Sequence, residues 1–241
     1  MRKVPHASIE HFLAITALAL QLSSCSTLSP VKKGQYSASE LFGFACEPGK
    51  NIVSARGRVL AKMTSTEEAG QFQANVLVDS SDHLQLEITN PLGGTQALIK
   101  VSQGRYEIID YSEKGQRPRV GQDHWGGIPL QWASILFLGQ IPCPQRGKGL
   151  DLEVSQDNEL TVTELNKKEN EKQKFIYRFK QWNHHPWPAS LKWIREGSER
   201  SSVEFQFDSP EKETGSPEKW DVRSSQGQIK VKWRTREITR D

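Results

Sequence analysis

The stretch Asp82–Val101, DHLQLEITNPLGGTQALIKV, contains two extended segments separated by a turn. Apolar and polar residues alternate over Leu84–Thr89 and again over Ala97–Val101, which is the period-two pattern of half-buried β-strands. The Asn, Pro and two Gly residues between them have the conformational preferences of a tight turn. The stretch therefore predicts an antiparallel β-hairpin, and the rest of the chain repeats its pattern.

Leu92 lies at the tip of this turn, between Pro91 and Gly93, where little protein surrounds a side chain. One interpretation is that Leu92 folds back onto its own hairpin. The other is that it contacts something apolar outside the protein. The hairpin alone favours the first interpretation.

Similar alternation recurs along the chain and predicts about ten strands in an antiparallel sheet. A capping box at Ser37–Glu40 begins a short N-terminal helix, and Pro129–Leu138 predicts a second helix that is apolar nearly all round and therefore buried. These elements predict a mainly β (α+β) fold, in which a highly curved sheet wraps around the apolar helix. The other strand-like segments are Ile52–Met63, Gln71–Asp79, Arg105–Tyr111, Leu150–Val154, Glu159–Leu165, Lys174–Trp182, Ala189–Ile194 and Ser202–Phe207.

The charge balance does not favour nucleic acid as a partner. The 241 residues include 32 Lys+Arg and 29 Asp+Glu, which gives a formal net charge of +3. Nucleic-acid-binding domains usually carry a strong basic excess.

The length is sufficient for one domain with a sizeable core.

Residues 1–24 are predicted to be a lipoprotein signal peptide. Arg2 and Lys3 precede the mostly apolar run Phe12–Leu22, which is too short to span a bilayer. The run ends in Leu22-Ser23-Ser24-Cys25, which resembles a bacterial lipobox. The alternative is an ordinary signal peptide with an incidental cysteine.

The lipobox resemblance implies that Cys25 is acylated and becomes the first residue of the mature protein. Two or three acyl chains would hold the protein on a membrane, with residues 25–36 as a lipidated tether. Ser26 follows the cysteine, and by the sorting rule of enteric bacteria this implies the outer membrane.

Cys46 and Cys143 are the two cysteines that remain after cleavage. An even pair in an oxidising compartment permits a disulfide, and two buried free thiols are the alternative.

The C-terminal region 209–241 is predicted to be a linker followed by a basic extension. Ser209–Glu218 is polar and rich in turn formers, whereas Ile229–Trp233 is strand-like. This extension is either one more edge strand or a flexible arm, and we expect the edge strand.

Catalysis is not expected. The mature histidines are His83, His124, His184 and His185, and none belongs to a recognisable nucleophile or metal-binding motif. The sequence therefore predicts a protein that is not an enzyme and that needs no cofactor or metal.

Several runs together resemble LolB, the family of outer-membrane lipoprotein receptors. The runs are the lipobox, Arg56-Gly57-Arg58, LEITNPLGGT (Leu86–Thr95), IPLQWASILFLGQIP (Ile128–Pro142) and Pro188-Ala189-x-Leu191, and they occur in the family's order. The resemblance covers residues 37–208. It does not extend to the tail or the two cysteines, and Pro and Gly residues interrupt the segment before Pro129, which is helical in the family.

The resemblance implies a fold and a function. The fold would be an unclosed antiparallel barrel with helices at its mouth and a hydrophobic cavity inside. The function would be to accept lipoproteins from a LolA-like periplasmic carrier and to insert their acyl chains into the outer membrane, as a monomer. Leu92, with Pro91 and Gly93, would form the membrane-insertion loop.

An acyl-chain cavity would be lined from the sheet and from the apolar helix. The alternative for each residue is ordinary core packing, and a filled core would favour a structural or lipid-binding lipoprotein without insertase activity. The candidate lining residues are Val76, Val78, Leu84, Leu86, Ile88, Trp132, Ile135 and Leu136.

Overall fold

The computed structural model describes residues 28–65, 69–112, 117–125, 128–144, 149–166, 171–196 and 201–241. The predicted signal peptide and the predicted lipidation site, Cys25, lie outside these ranges.

The described residues form sixteen strands and two helices. The helices are α1 (Ala38–Cys46) and α2 (Leu130–Leu138). The strands are β1 (Ser29–Pro30), β2 (Ile52–Ser65), β3 (Ala69–Ser80), β4 (His83–Thr89), β5 (Thr95–Ser102), β6 (Arg105–Asp110), β7 (Arg119–Gln122), β8 (His124–Trp125), β9 (Ile128–Pro129), β10 (Leu150–Val154), β11 (Glu159–Asn166), β12 (Glu171–Trp182), β13 (His185–Glu196), β14 (Ser201–Phe207), β15 (Lys219–Ser224) and β16 (Gly227–Arg240).

One antiparallel sheet of 14 strands dominates the fold. Its order is β10-β11-β12-β13-β14-β15-β16-β2-β3-β4-β5-β6-β7, with β1 paired to β12, and β8 and β9 form a separate two-stranded sheet. Among the described residues β10 and β7 do not pair with each other, so the barrel is not closed. The mainly β, unclosed architecture predicted from the sequence is confirmed.

The sheet curves around α2, which lies on its concave face. The helix packs against β2, β3, β4 and β5 on one side. Its aromatic side chains Trp132 and Phe137 contact rings on β12, β13, β15 and β16 on the other. Strands from both halves of the sheet can touch the same short helix because the sheet bends around it.

The C-terminal region lies in the middle of the sheet. The prediction that it forms an edge strand is wrong. The strand β16 pairs with β2 along most of its length and with β15 on its other side. Ile229, Val231 and Trp233 are each 1% exposed and belong to the core. Together with β15, β16 and the short strands β1 and β7, the main sheet has more strands than the ten expected.

The helix α1 begins with the predicted capping box and ends at a disulfide. The Ser37 backbone N–H donates to Glu40 Oε2 at 2.8 Å, and the Glu40 N–H donates to Ser37 Oγ at 3.3 Å. Cys46, the last residue of α1, is bonded to Cys143, which follows α2. Of the two states left open by the sequence, the structure contains the disulfide, which fixes α1 to the end of the α2 segment. None of the helices among the described residues is long and apolar enough to cross a membrane.

Candidate functional site

The turn between β4 and β5, Asn90–Gly94, is organised by the side chain of Asn90. Its Oδ1 accepts hydrogen bonds from the backbone N–H groups of Leu92 and Gly94, each at 2.9 Å. Its backbone N–H donates to the Gly94 carbonyl, and its carbonyl accepts from the Gly93 N–H, again at 2.9 Å. Four hydrogen bonds to one residue give this turn, called here the Leu92 turn, a defined shape.

Leu92 projects from the turn into solvent. Its side chain is 96% exposed, so the first interpretation, in which it folds back onto the hairpin, does not describe the structure. Gly93 has φ +87°, a conformation in which a side chain would be strained. The turn therefore presents one large apolar side chain at its tip, with Pro91 exposed beside it.

The base of the hairpin is held by the carboxylate of Glu87. It accepts hydrogen bonds from Asn75 Nδ2, at 3.0 Å, and from the Thr95 hydroxyl. These two bonds, with Asn75 the larger contributor, lower the pKa of Glu87 below its ordinary value. The carboxylate is consequently charged at neutral pH and links β3, β4 and β5 next to the turn.

A second exposed apolar residue, Tyr111, lies near the base of the hairpin. Its backbone N–H donates to the Gln96 carbonyl at 2.8 Å, and its side chain is 52% exposed. Nothing near Tyr111 in the sequence predicts its place beside the hairpin. The pairing of Ala97 with Asp110 in the β5–β6 register places the two neighbours, Gln96 and Tyr111, side by side.

The predicted lining residues come together on the concave face, mostly as buried core. In the register of the sheet, Val76 lies opposite Leu86, and Val78 lies opposite Leu84. The most buried members, none more than 3% exposed, are Val76, Val78, Leu84, Leu86 and Leu136. The partly buried members that pack against this core or lie on α2 are Ile88, Trp132 and Ile135.

Aromatic side chains occupy much of the space beneath α2. Trp132 packs edge-on against Phe175 and Trp193, with ring centroids 6.1 and 6.2 Å apart. Phe137, one turn further along, packs edge-on against Trp220 at 5.2 Å and Trp233 at 6.3 Å. This half of the concave face is a packed core.

A cavity of about 370 Å³ remains on the other half, next to the Leu92 turn. Its volume falls within the ~300–1,000 Å³ of small-molecule sites. One of the eight predicted lining residues, Ile88, borders this cavity, and the other seven do not. The apolar lining includes Met63, Phe72, Ile88, Ala97, Ile99 and Ile108, and its polar rim includes Gln96, Asp110, Ser112 and Arg119.

The C-terminal end of α2 is fixed by Arg236, from the strand β16. Its Nη2 donates to the Leu138 carbonyl at 2.8 Å and its Nη1 donates to Ser216 Oγ at 2.8 Å. The side chain is 3% exposed, and burial lowers the pKa of the guanidinium. A cation at the end of a helix interacts favourably with the helix dipole, so Arg236 positions α2 against the sheet.

The described residues contain no group of three or more His, Cys, Asp or Glu side chains that could hold a metal ion. The exposed Leu92 and the apolar lining of the adjacent cavity offer contact with apolar molecules.

Comparisons with known proteins find similar structures of low sequence identity. A LolA superfamily protein of Nitrosomonas europaea is 13% identical, with 85% of this chain and 94% of that chain covered and a TM-score of 0.48. A domain assigned to outer membrane lipoprotein sorting in Vibrio parahaemolyticus is 8% identical, with 84% and 91% covered and a TM-score of 0.47. The lipoprotein LppX of Mycobacterium tuberculosis is 10% identical, with 85% and 97% covered and a TM-score of 0.32. Neither the family models nor the curated proteins contain a match to this chain.

Proposed function

We propose that this chain is an outer-membrane lipoprotein of the LolB-like group. In this proposal it faces the periplasm as a monomer, receives lipoproteins from a LolA-like carrier and inserts their acyl chains into the outer membrane. The observation that carries the proposal is Leu92, an apolar side chain that is 96% exposed on a turn with the motif of that group.

The physical requirement is to protect acyl chains from water during transfer. Exposing a chain to water costs about 0.8 kcal/mol per CH₂ group. The cavity of about 370 Å³ is next to the Leu92 turn. Ile88, which lines the cavity, lies on β4, the strand that leads into the turn. An acyl chain held in the cavity would therefore lie beside the turn that carries Leu92.

The proposed step breaks and forms no covalent bond. The driving force is the difference in apolar burial between the carrier, this chain and the bilayer, so neither a cofactor nor a catalytic residue is required. The exposed Leu92 supplies contact with the acyl region of the membrane, and the hydrogen-bonded turn holds it in place.

The experiment that tests the proposal is transfer from a loaded carrier. An acylated lipoprotein bound to a soluble LolA-like protein is mixed with liposomes that carry this chain, and the cargo is followed by flotation. We expect cargo to float with the liposomes when this chain is present and to stay with the carrier when it is absent. Equal flotation in the two samples would contradict the proposal.

A second candidate function is a lipid-anchored structural or lipid-binding lipoprotein without insertase activity. The aromatic packing of Trp132 and Phe137 favours it, because this packing fills half of the concave face. A chain that binds a fluorescent fatty acid but moves no cargo from the carrier would support this candidate over the insertase.

A further inference from the structure

The described part of the tether is docked on the domain. Ser29 and Pro30 pair with Gln181 and Lys180 of β12. Leu28 and Val31 pack against the core. The side-chain amide of Asn158 donates to the carbonyls of Val31 and Lys32, at 3.3 and 3.0 Å. Residues 28–32 are therefore part of the fold, whereas the sequence predicts a tether between lipid and domain over residues 25–36.

The direction of β1 limits how far the predicted lipid anchor can lie from the end of β12. Because β1 is antiparallel to β12, the chain before Ser29 leads towards Trp182, at the end of β12. Cys25 precedes Leu28 by three residues. An extended chain spans at most about 3.6 Å per residue, so Cys25 lies within about 11 Å of Leu28.

The surface at that end of the sheet has the composition of a membrane interface. We define the anchor-end surface by residues that line one open cavity of about 560 Å³: Phe44, Lys50, Trp182, His185, Lys212 and Arg240. Its lining carries three Lys and Arg residues and the carboxylates of Glu47 and Glu213, and the exposed Asp241 is hydrogen-bonded to Asn51 of the same lining, so basic and acidic side chains are close to balanced. Trp at the headgroup level and Lys or Arg near anionic lipids are typical of surfaces that rest on bilayers.

The Leu92 turn lies at the opposite end of the sheet. Strand β2 touches both cavities, since Ile52 lines the cavity at the anchor end and Met63 lines the cavity near Leu92. These two residues lie 11 positions apart on β2. At about 3.3 Å per residue, the path along the strand is about 36 Å.

We propose that, while β1 is docked, the anchor-end surface rests on the phospholipid headgroups of the bilayer that holds Cys25. The proposal rests on lipidation at Cys25, which is part of the proposed function. In this orientation the Leu92 turn points away from that bilayer. Leu92 reaches the same bilayer only after β1 leaves β12 and the contacts of Leu28, Val31 and Tyr36 with the domain are released, when residues 26–36 can span about 40 Å.

Lysine footprinting tests the orientation with reporters that the chain already contains. The lipidated full chain on vesicles of phosphatidylethanolamine and phosphatidylglycerol is acetylated briefly, and each lysine is quantified by mass spectrometry against the soluble Cys25→Ala variant. The reporters at the anchor end are Lys50, Lys180 and Lys212, all exposed. The reporters elsewhere are Lys62, next to Met63, and Lys100, in the β5 strand, also exposed.

We expect the reactivity of the three anchor-end lysines to fall several-fold on vesicles and that of Lys62 and Lys100 to stay unchanged. Unchanged reactivity throughout would overturn the proposal. So would protection of Lys62 alone, which would place the Leu92 end on the bilayer, or protection at both ends, which would mean that the domain lies flat.

The same vesicles separate failure of this inference from failure of the proposed function. Protected anchor-end lysines without cargo transfer would support the orientation and contradict the insertase function. Cargo transfer with unprotected anchor-end lysines would support the insertase function and contradict the orientation. If cells do not acylate Cys25, the purified chain can be coupled through that thiol to a maleimide lipid. Cys46 and Cys143 are bonded to each other, so Cys25 is the remaining cysteine of the three in the chain.

Discussion

Replacing Arg236 with Ala tests whether the C-terminal strand is part of the core that positions α2. The guanidinium is 3% exposed and donates to the Leu138 carbonyl and to Ser216 Oγ, both at 2.8 Å. It also lies over the ring of Trp233, with its Cζ 5.3 Å from the ring centroid. Ala removes all of these contacts and leaves two buried acceptors without this donor.

The expected loss can be estimated from the contacts. Each buried acceptor that loses its donor costs about 1–3 kcal/mol, and the contact with Trp233 contributes about 0.5–2 kcal/mol. Burying the cation costs free energy, and the same cost lowers the pKa of Arg236. The Ala variant no longer has this cost, which offsets part of the loss. We expect a net decrease of about 3 kcal/mol in the free energy of unfolding, or about 6–12 °C in Tm for a domain of this size.

The assay is urea denaturation of the non-lipidated Cys25→Ala protein, followed by tryptophan fluorescence. Arg234→Ala is the matched control, because Arg234 lies two residues away and is exposed, and we expect it to change stability by no more than about 0.5 kcal/mol. Arg236→Lys should be intermediate, since it keeps the charge and loses the planar fork. An Arg236→Ala protein as stable as the Arg234→Ala control would refute the role given to this residue.

Two further predictions concern α1 and α2. Replacing both Cys46 and Cys143 with Ser should lower the free energy of unfolding by about 2–5 kcal/mol, because their disulfide closes a long loop, and an unchanged urea midpoint would contradict this. Gly139→Ala should lower Tm by several degrees, since Gly139 has φ +76° and a Cβ there would lie 2.2 Å from a guanidinium nitrogen. Gly43→Ala, in α1 with open space around its Cβ position, is the control and should leave Tm unchanged or raise it slightly.

The hairpin and the two helices could be predicted because their signals are local. Alternation over Leu84–Thr89 and the turn residues that follow specify a hairpin without reference to the rest of the chain. The capping box at Ser37–Glu40 likewise lies within four residues. Each of these features is decided by neighbours in sequence.

The position of the C-terminal strand could not be predicted in the same way. Trp233 pairs with Val59, so the strand's place depends on a partner far away in sequence. A basic segment with a short apolar alternation has the same local pattern at an edge as in the centre of a sheet. Arg236 was missed for a related reason, because nothing near it in sequence distinguishes a buried helix-capping arginine from an exposed one.

The candidate site was predicted in part. The sequence singles out Leu92 because a large apolar residue is unusual at a turn tip, and in the structure Leu92 is 96% exposed. The lining of the cavity next to it differs from the expected one, since Met63, Phe72 and Ile108 line a space that is left over once side chains from several strands have packed, and Ile88 is the shared member. Alternation identifies the inward face of a strand, and the volume that remains inside depends on all of the strands together.

The most direct measurement of the central claim is the rate of lipoprotein transfer to liposomes by Leu92→Glu compared with Leu77→Glu. Leu77 is also an exposed leucine, 46% exposed on the same sheet, and so controls for the added charge. Insertion of one leucine into an apolar phase contributes about 1.5–3 kcal/mol, which corresponds to a rate at least about ten-fold lower for Leu92→Glu. We expect this loss with unchanged Tm in both variants and normal transfer by Leu77→Glu. Equal transfer by the two variants would contradict it.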